Sequence, residues 1–192
     1  MHGVLVGAVN TGVSEPDETL LGKVASALDL IALHDPSSLH RLQRHLRRIL
    51  VELDLYAAMH YVSQFDTCIV NADYVTRAET TITDIASGLI HEATHARLDH
   101  AGVEYREDIR GRIESICYNA ELRFLRRVPN SKDAIALVER AKQHTTVEEE
   151  WSNQRLSEEY HQSRIQALRR VGCPEWIIRL VQRLAKSGAP KS

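Results

Sequence analysis

The sequence predicts an α+β chain, mostly helical, with a small sheet ahead of one central helix. Three observations carry this expectation. Apolar residues recur at three-and-four spacing before residue 48 and again beyond residue 102. β-Branched and aromatic residues cluster between Arg48 and Val75. Thr81 and Asp84 then form a Thr-x-x-Asp capping box, which opens a helix just after that cluster.

Leu20, Leu21, Val24, Ala27, Leu28 and Ile31 define a first amphipathic helix from about Glu18 to Leu33. In "HDPSSLHRLQRHL", Asp35 can cap free amides and Pro36 suits a first helical position, so a second helix follows and two helices open the chain. The stretch from Arg48 to Val75 reads as two or three strands, with "DTCIVN" the clearest. Ile85 and Leu89 continue the helix capped by Thr81. Beyond Gly102 the pattern is helical over about Asp108 to Val128, Ser131 to Gln143, Thr146 to Val171, with Thr146 and Glu149 as a second capping box, and Pro174 to Ser187. In the last segment Ile177, Leu180, Val181 and Leu184 line up as one apolar stripe, and the tail "SGAPKS" should be loose.

With 192 residues and no repeat or linker, the chain reads as a single domain over residues 1–192. The formal charge is -2, from 24 Lys+Arg against 26 Asp+Glu, which implies no general attraction to nucleic acid or an anionic membrane. The basic residues among Arg155, Arg164, Arg169, Arg170, Arg179, Arg183, Lys186 and Lys191 are spread around two helices and read as a solvated face. Cys68, Cys117 and Cys173 form no CxxC pair and fit free thiols in a reducing compartment. The N-terminus lacks a basic region and soon meets Glu15 and Asp17, so it makes a poor signal peptide. A cytoplasmic protein with neither a nucleic-acid nor a membrane partner is expected; the oligomeric state is not legible.

The central helix contains "SGLIHEATHARLDH", in which His91, Glu92 and His95 form a His-Glu-x-x-His run. Residues four apart share a helix face, about 6 Å apart, so both imidazoles can point at one ion while Glu92 projects beside them. Two neutral imidazoles and a carboxylate suit Zn2+ and leave a fourth position for water. Such an ion lowers the pKa of bound water from about 16 toward about 7, and Glu92 is placed to accept the proton. Ala93, Thr94 and Ala96 are small and let another element pack closely.

A third ligand must lie elsewhere. His100 follows too soon after His95, and a downstream carboxylate is the better candidate. On "RGRIESICYNAELRFLRRV", Ile113, Ile116, Cys117, Ala120 and Phe124 make the apolar face and leave Glu114, Tyr118 and Glu121 beside it. Glu114 and Glu121 point the same way two turns, about 10 Å, apart, so only one should touch the ion.

"LIHEATHARL" followed by a helix beginning "RIESIC" resembles the gluzincin branch of the zincin metallopeptidases. The resemblance covers about residues 65–128 and implies a zincin-like fold, with helices over about residues 131–187 beyond it. It implies hydrolysis of a peptide or protein substrate, with His91, His95 and a later Glu as zinc ligands and Glu92 as general base and acid. The family pattern has a small residue three positions after the Glu. Cys117 meets this for Glu114, whereas Phe124 does not for Glu121, so the resemblance favours Glu114. The following position holds Tyr118 where the family often has Asp, leaving Asp99 or a backbone carbonyl to support a histidine. Zincins also place an edge strand before the motif helix, a role "DTCIVNADYV" would fill unless it is an ordinary core strand. For the oxyanion, Tyr105, Tyr118, His100, Arg110 and Arg112 are suited by type, with no basis for choosing.

Two other readings share these residues. Peptide deformylases join a Cys ahead of the motif helix to the two histidines, and Cys68 lies upstream, but it sits in an apolar strand without the glycine-rich presentation. Alternatively, the metal could stabilise a binding or regulatory protein, although Glu92 would then have no work as a base. Cys117 reads as core, and His34, His40, His45, His60, His144 and His161 as surface histidines.

Overall fold

The computed structural model describes residues 1–9, 11–53, 56–144, 152–170 and 172–187. The elements are β1 (Leu5–Ala8), α1 (Asp17–His34), α2 (Pro36–His45), β2 (Arg48–Glu52), β3 (Met59–Val62), β4 (Thr67–Asn71), α3 (Ala72–Thr76), α4 (Ile82–His100), α5 (Arg110–Leu125), α6 (Lys132–His144), α7 (Asn153–Arg170) and α8 (Glu175–Ser187). The chain is thus a mostly helical α+β structure with a four-stranded sheet.

The sheet order is β1-β2-β4-β3, with β1, β2 and β4 parallel and β3 antiparallel to β4. The α1–α2 pair forms the crossover that parallel β1 and β2 require. β3 returns to β4 through a short 3-10 turn ending at Asp66, whose φ of 48° is one that a short polar side chain tolerates. β1 is an addition to the predicted elements. Its four residues show no clean alternation, and Leu5 is 66% exposed, so only pairing with distant β2 makes it a strand.

β4 is the "DTCIVN" strand, and of the two roles open to it, edge or core strand, it takes the second. It lies inside the sheet with all five residues buried, whereas the edge beside the motif helix is β3. An interior strand covered on both faces reads as a continuous apolar run, and that is the pattern "TCIV" carries.

α1 buries Leu20, Val24, Ala27, Leu28 and Ile31. These pack with Leu39 and Leu42 of α2, Ile49 and Val51 of β2, and Ile85, Leu89 and Ile90 of α4 in one core. Asp35 caps α2 by accepting from the Ser38 amide at 3.2 Å. Burial alone would raise its carboxyl, but hydrogen bonds from Ser37 and Ser38 and the Arg127 guanidinium outweigh this and hold it below the ordinary range.

α6, α7 and α8 differ from the helices before them, and α6 has no fully buried residue. α7 buries only Ser163, and among the described side chains of α8 Ile178 is buried while Leu180 is 49% exposed. Of the predicted α8 stripe, Ile177 and Val181 are half-buried, Leu180 is exposed, and the Leu184 side chain lies outside the described residues. Arg155, Arg169 and Arg170 form ion pairs with Glu159, Glu175 and Asp73. The Thr146 and Glu149 capping box lies outside the described residues. Among the described residues, no helix is long and apolar enough to cross a membrane.

Candidate metal centre

Two helices build the site. α4 begins with the predicted capping box: the Thr81 hydroxyl accepts from the Asp84 amide at 3.2 Å, and the Thr81 amide donates to the Asp84 carboxylate at 2.8 Å. The short helix α3 intervenes between β4 and this cap, so the motif helix does not follow its strand directly. Gly88 lets β3 lie close against α4, since a Cβ there would stand 2.8 Å from Met59 Sδ. The small Ala93 and Ala96 are buried where α4 meets its neighbours.

One turn apart, His91 and His95 bring their ring centroids to 4.9 Å. α5 crosses behind them, with Glu114 and Glu121 buried to 4% and 5% exposure. Glu114 Oε2 is 3.1 Å from His91 Nε2, and Glu114 Oε1 is 3.3 Å from His95 Nε2. His91 Nδ1 donates to Glu121 Oε1 at 2.6 Å. Glu114 is therefore the carboxylate that reaches both motif histidines, while Glu121 reaches His91 from the opposite ring nitrogen. This corrects the expected support of the histidine: Asp99 instead accepts from the Tyr61 hydroxyl at 3.0 Å.

The electrostatics follow from this packing. Burial opposes charge on Glu114, yet hydrogen bonds and charge from His91 and His95 hold its carboxyl well below the usual range. Burial likewise opposes charge on His91, but Glu114 and Glu121 flank the ring and raise it well above the ordinary histidine value. Tyr105 donates to Glu114 Oε1 at 2.5 Å, and burial together with that carboxylate pushes its phenol up.

Ligand atoms about 2.0–2.1 Å from a tetrahedral zinc stand about 3.3 Å from one another; Glu114 comes this near to the two imidazoles through its two different oxygens, one to each ring. Cys117 is also near, its Sγ within 4.8 Å of the histidine nitrogens. Its thiol is pushed far up, by burial first and by Glu114, Glu92 and Glu121 next. Glu114 and Cys117 thus both lie within reach of the two motif histidines.

These residues open on a cavity of about 770 Å3. Glu92 is 7% exposed, lines that cavity, and receives no hydrogen bond from a described side chain. Of the expected oxyanion candidates, Tyr105 and Tyr118 line the cavity, and Tyr118 packs edge-on against His91 with centroids 4.9 Å apart. The other three do not line it. His100 meets His45 at 3.0 Å and Asp66 at 2.7 Å, and Arg110 lies over the Tyr105 ring and donates to Asn153. Arg112 is exposed. Cys68 is fully buried in β4, away from the cavity lining, where burial pushes its thiol up. Tyr56, Met59 and Tyr61 also line it. The sequence carried no signal for them beyond their place in a strand-like segment.

The chain matches no family model, no curated protein and no solved structure.

Proposed function

We propose that the chain is a zinc-dependent hydrolase of peptide bonds, with His91, His95 and Glu114 holding the metal. The observation that carries this reading is the approach of one buried carboxylate to both motif imidazoles, at 3.1 and 3.3 Å. When bound, the zinc supplies a Lewis acid that lowers the pKa of a water from about 16 toward about 7. Glu92, in the cavity wall beside the two histidines, accepts the proton that water gives up and delivers it to the leaving amine. Glu121 fixes the ring orientation of His91 through Nδ1, and the Tyr105 hydroxyl fixes Glu114. As the outer strand, β3 presents one row of backbone groups to the cavity side of the sheet, where an extended peptide can pair.

The test is direct. The purified chain should hold about one zinc, and His91→Ala or His95→Ala should remove it. Glu92→Gln should keep the zinc and lose at least roughly a hundredfold in turnover of a peptide library. Bound zinc with no cleavage of any library peptide would leave a metal-stabilised binding protein as the better reading.

A further inference from the structure

Along α4 the cavity has two unlike ends. Toward the helix N-terminus, Met59 packs onto Gly88. Past His95 the cavity is bounded by Leu98, Asp99, Val103, Glu104 and the rings of Tyr61 and Tyr105. Asp99 stands one helical turn beyond His95, about 6 Å along the axis. Leu98 and Val103 offer apolar surface, while the two carboxylates sit at the outer end, where Asp99 and Glu104 are exposed.

Carboxylates predominate on the wall at this end, with Arg106 near enough to Glu104 to feel its charge and Arg110 over the Tyr105 ring outside the lining. Among the described residues no arginine or lysine pairs with Asp99 or Glu104, and none lines the cavity. Among the described residues Asp99 Oδ2 lies 3.0 Å from the Tyr61 hydroxyl, which also stands 3.2 Å from Asp66 Oδ1, and the second Asp99 oxygen has no hydrogen bond. Glu92, Glu114 and Glu121 add three more carboxylates. A divalent ion offsets two of these, so the cavity stays negative. The face of an aromatic ring attracts cations, and the Tyr105 ring already lies 4.8 Å from the Arg110 guanidinium carbon. A site for a substrate's terminal carboxylate would need a cation in the wall. Apolar surface for a methylene stem, ended by carboxylates and flanked by tyrosine rings, instead matches a long cationic side chain.

We propose that the cavity end bounded by Leu98, Asp99, Val103 and Glu104 is a specificity subsite for a lysine or arginine side chain of the peptide, with Asp99 and Glu104 reading its charge. This rests on the zinc-hydrolase reading above and names its substrate class.

The test uses the zinc-loaded full chain and two N-acetylated or N-acylated hydroxamate probes, one carrying lysine before the zinc-binding group and one after it. Each is compared with its norleucine twin, which has the same stem without the amine. Acylation removes the terminal amine as a rival cation. By titration calorimetry at 0.15 M salt, one of the two lysine probes should bind at least about tenfold more tightly than its twin. In the Asp99→Asn, Glu104→Gln double variant, which keeps the oxygen that Tyr61 needs, that ratio should fall below about threefold. Equal binding of lysine and norleucine in both pairs would overturn the subsite while leaving the hydrolase reading in place, as would a ratio that survives the double substitution. Failure of all four probes to bind the zinc-loaded chain would overturn the hydrolase reading, and the subsite with it.

Discussion

His91 and Glu121 meet at 2.6 Å through the ring nitrogen that faces away from Glu114. Glu114 and Glu121 are seven residues apart on α5, which places them on one face two turns, about 10 Å, apart along the axis. Both nevertheless reach His91, because the imidazole lies between them and offers each a different nitrogen. The carboxylates thus divide the work: one shares the open Nε2 side with His95, and the other sets the ring from behind.

That division predicts unequal costs. Glu114→Ala should lower zinc affinity by orders of magnitude, whereas Glu121→Gln should lower it about 10 to 100-fold, as removing an outer carboxylate does. Competition with a zinc chelator at fixed pH measures both. The reverse order would exchange the two roles.

Cys117 provides an independent check on the ligand set. If its thiol only fills the space between α4 and α5, Cys117→Ala should retain zinc within about tenfold and cost about 1 kcal/mol or slightly more from the small void. A loss of metal as large as that in His95→Ala would make Cys117 the ligand in place of Glu114.

Asp35 should give stability a dependence on acid. Its folded carboxyl lies below the ordinary value, so it binds a proton more readily in the unfolded chain. Its contribution is complete above about pH 4 and is lost as the pH falls through the lower folded value. Asp35→Ala should cost about 1–2 kcal/mol at pH 7, and the gap from the parent protein should close near pH 2. Urea unfolding at the two pH values measures it; a gap that widens in acid would contradict the assignment.

The cap of α4 matters because the helix carries the site. Thr81→Ala removes the hydroxyl that accepts from the Asp84 amide and should cost about 1 kcal/mol. Excess zinc should raise the midpoint of thermal unfolding in this variant as well as in the parent, because binding to the folded form alone stabilises both. An effect of the substitution on zinc affinity larger than its effect on stability would show that the cap also sets the motif's geometry.

Local chemistry sufficed wherever neighbours in sequence do the work. The helix periods of α1 and α5, the Asp35 cap, the Thr81 and Asp84 box and the shared face of His91 and His95 all follow from bonds or spacings within a few residues. Side-chain type and helix face brought Glu114 and Glu121 forward together, and only the family resemblance favoured Glu114 between them. What remained open depended on contacts between distant segments. β1 exists only through its pairing with β2, more than forty residues away, and β3 is the edge because β4 gives its other side to β2. Glu121 supports His91 because α5 crosses α4 at a level where the imidazole falls between two carboxylates, and no spacing within one helix encodes that crossing. The same packing gathers Tyr61, Asp99 and Glu104 at one end of the cavity. They come from a strand, a helix end and a loop, which only the tertiary fold brings together.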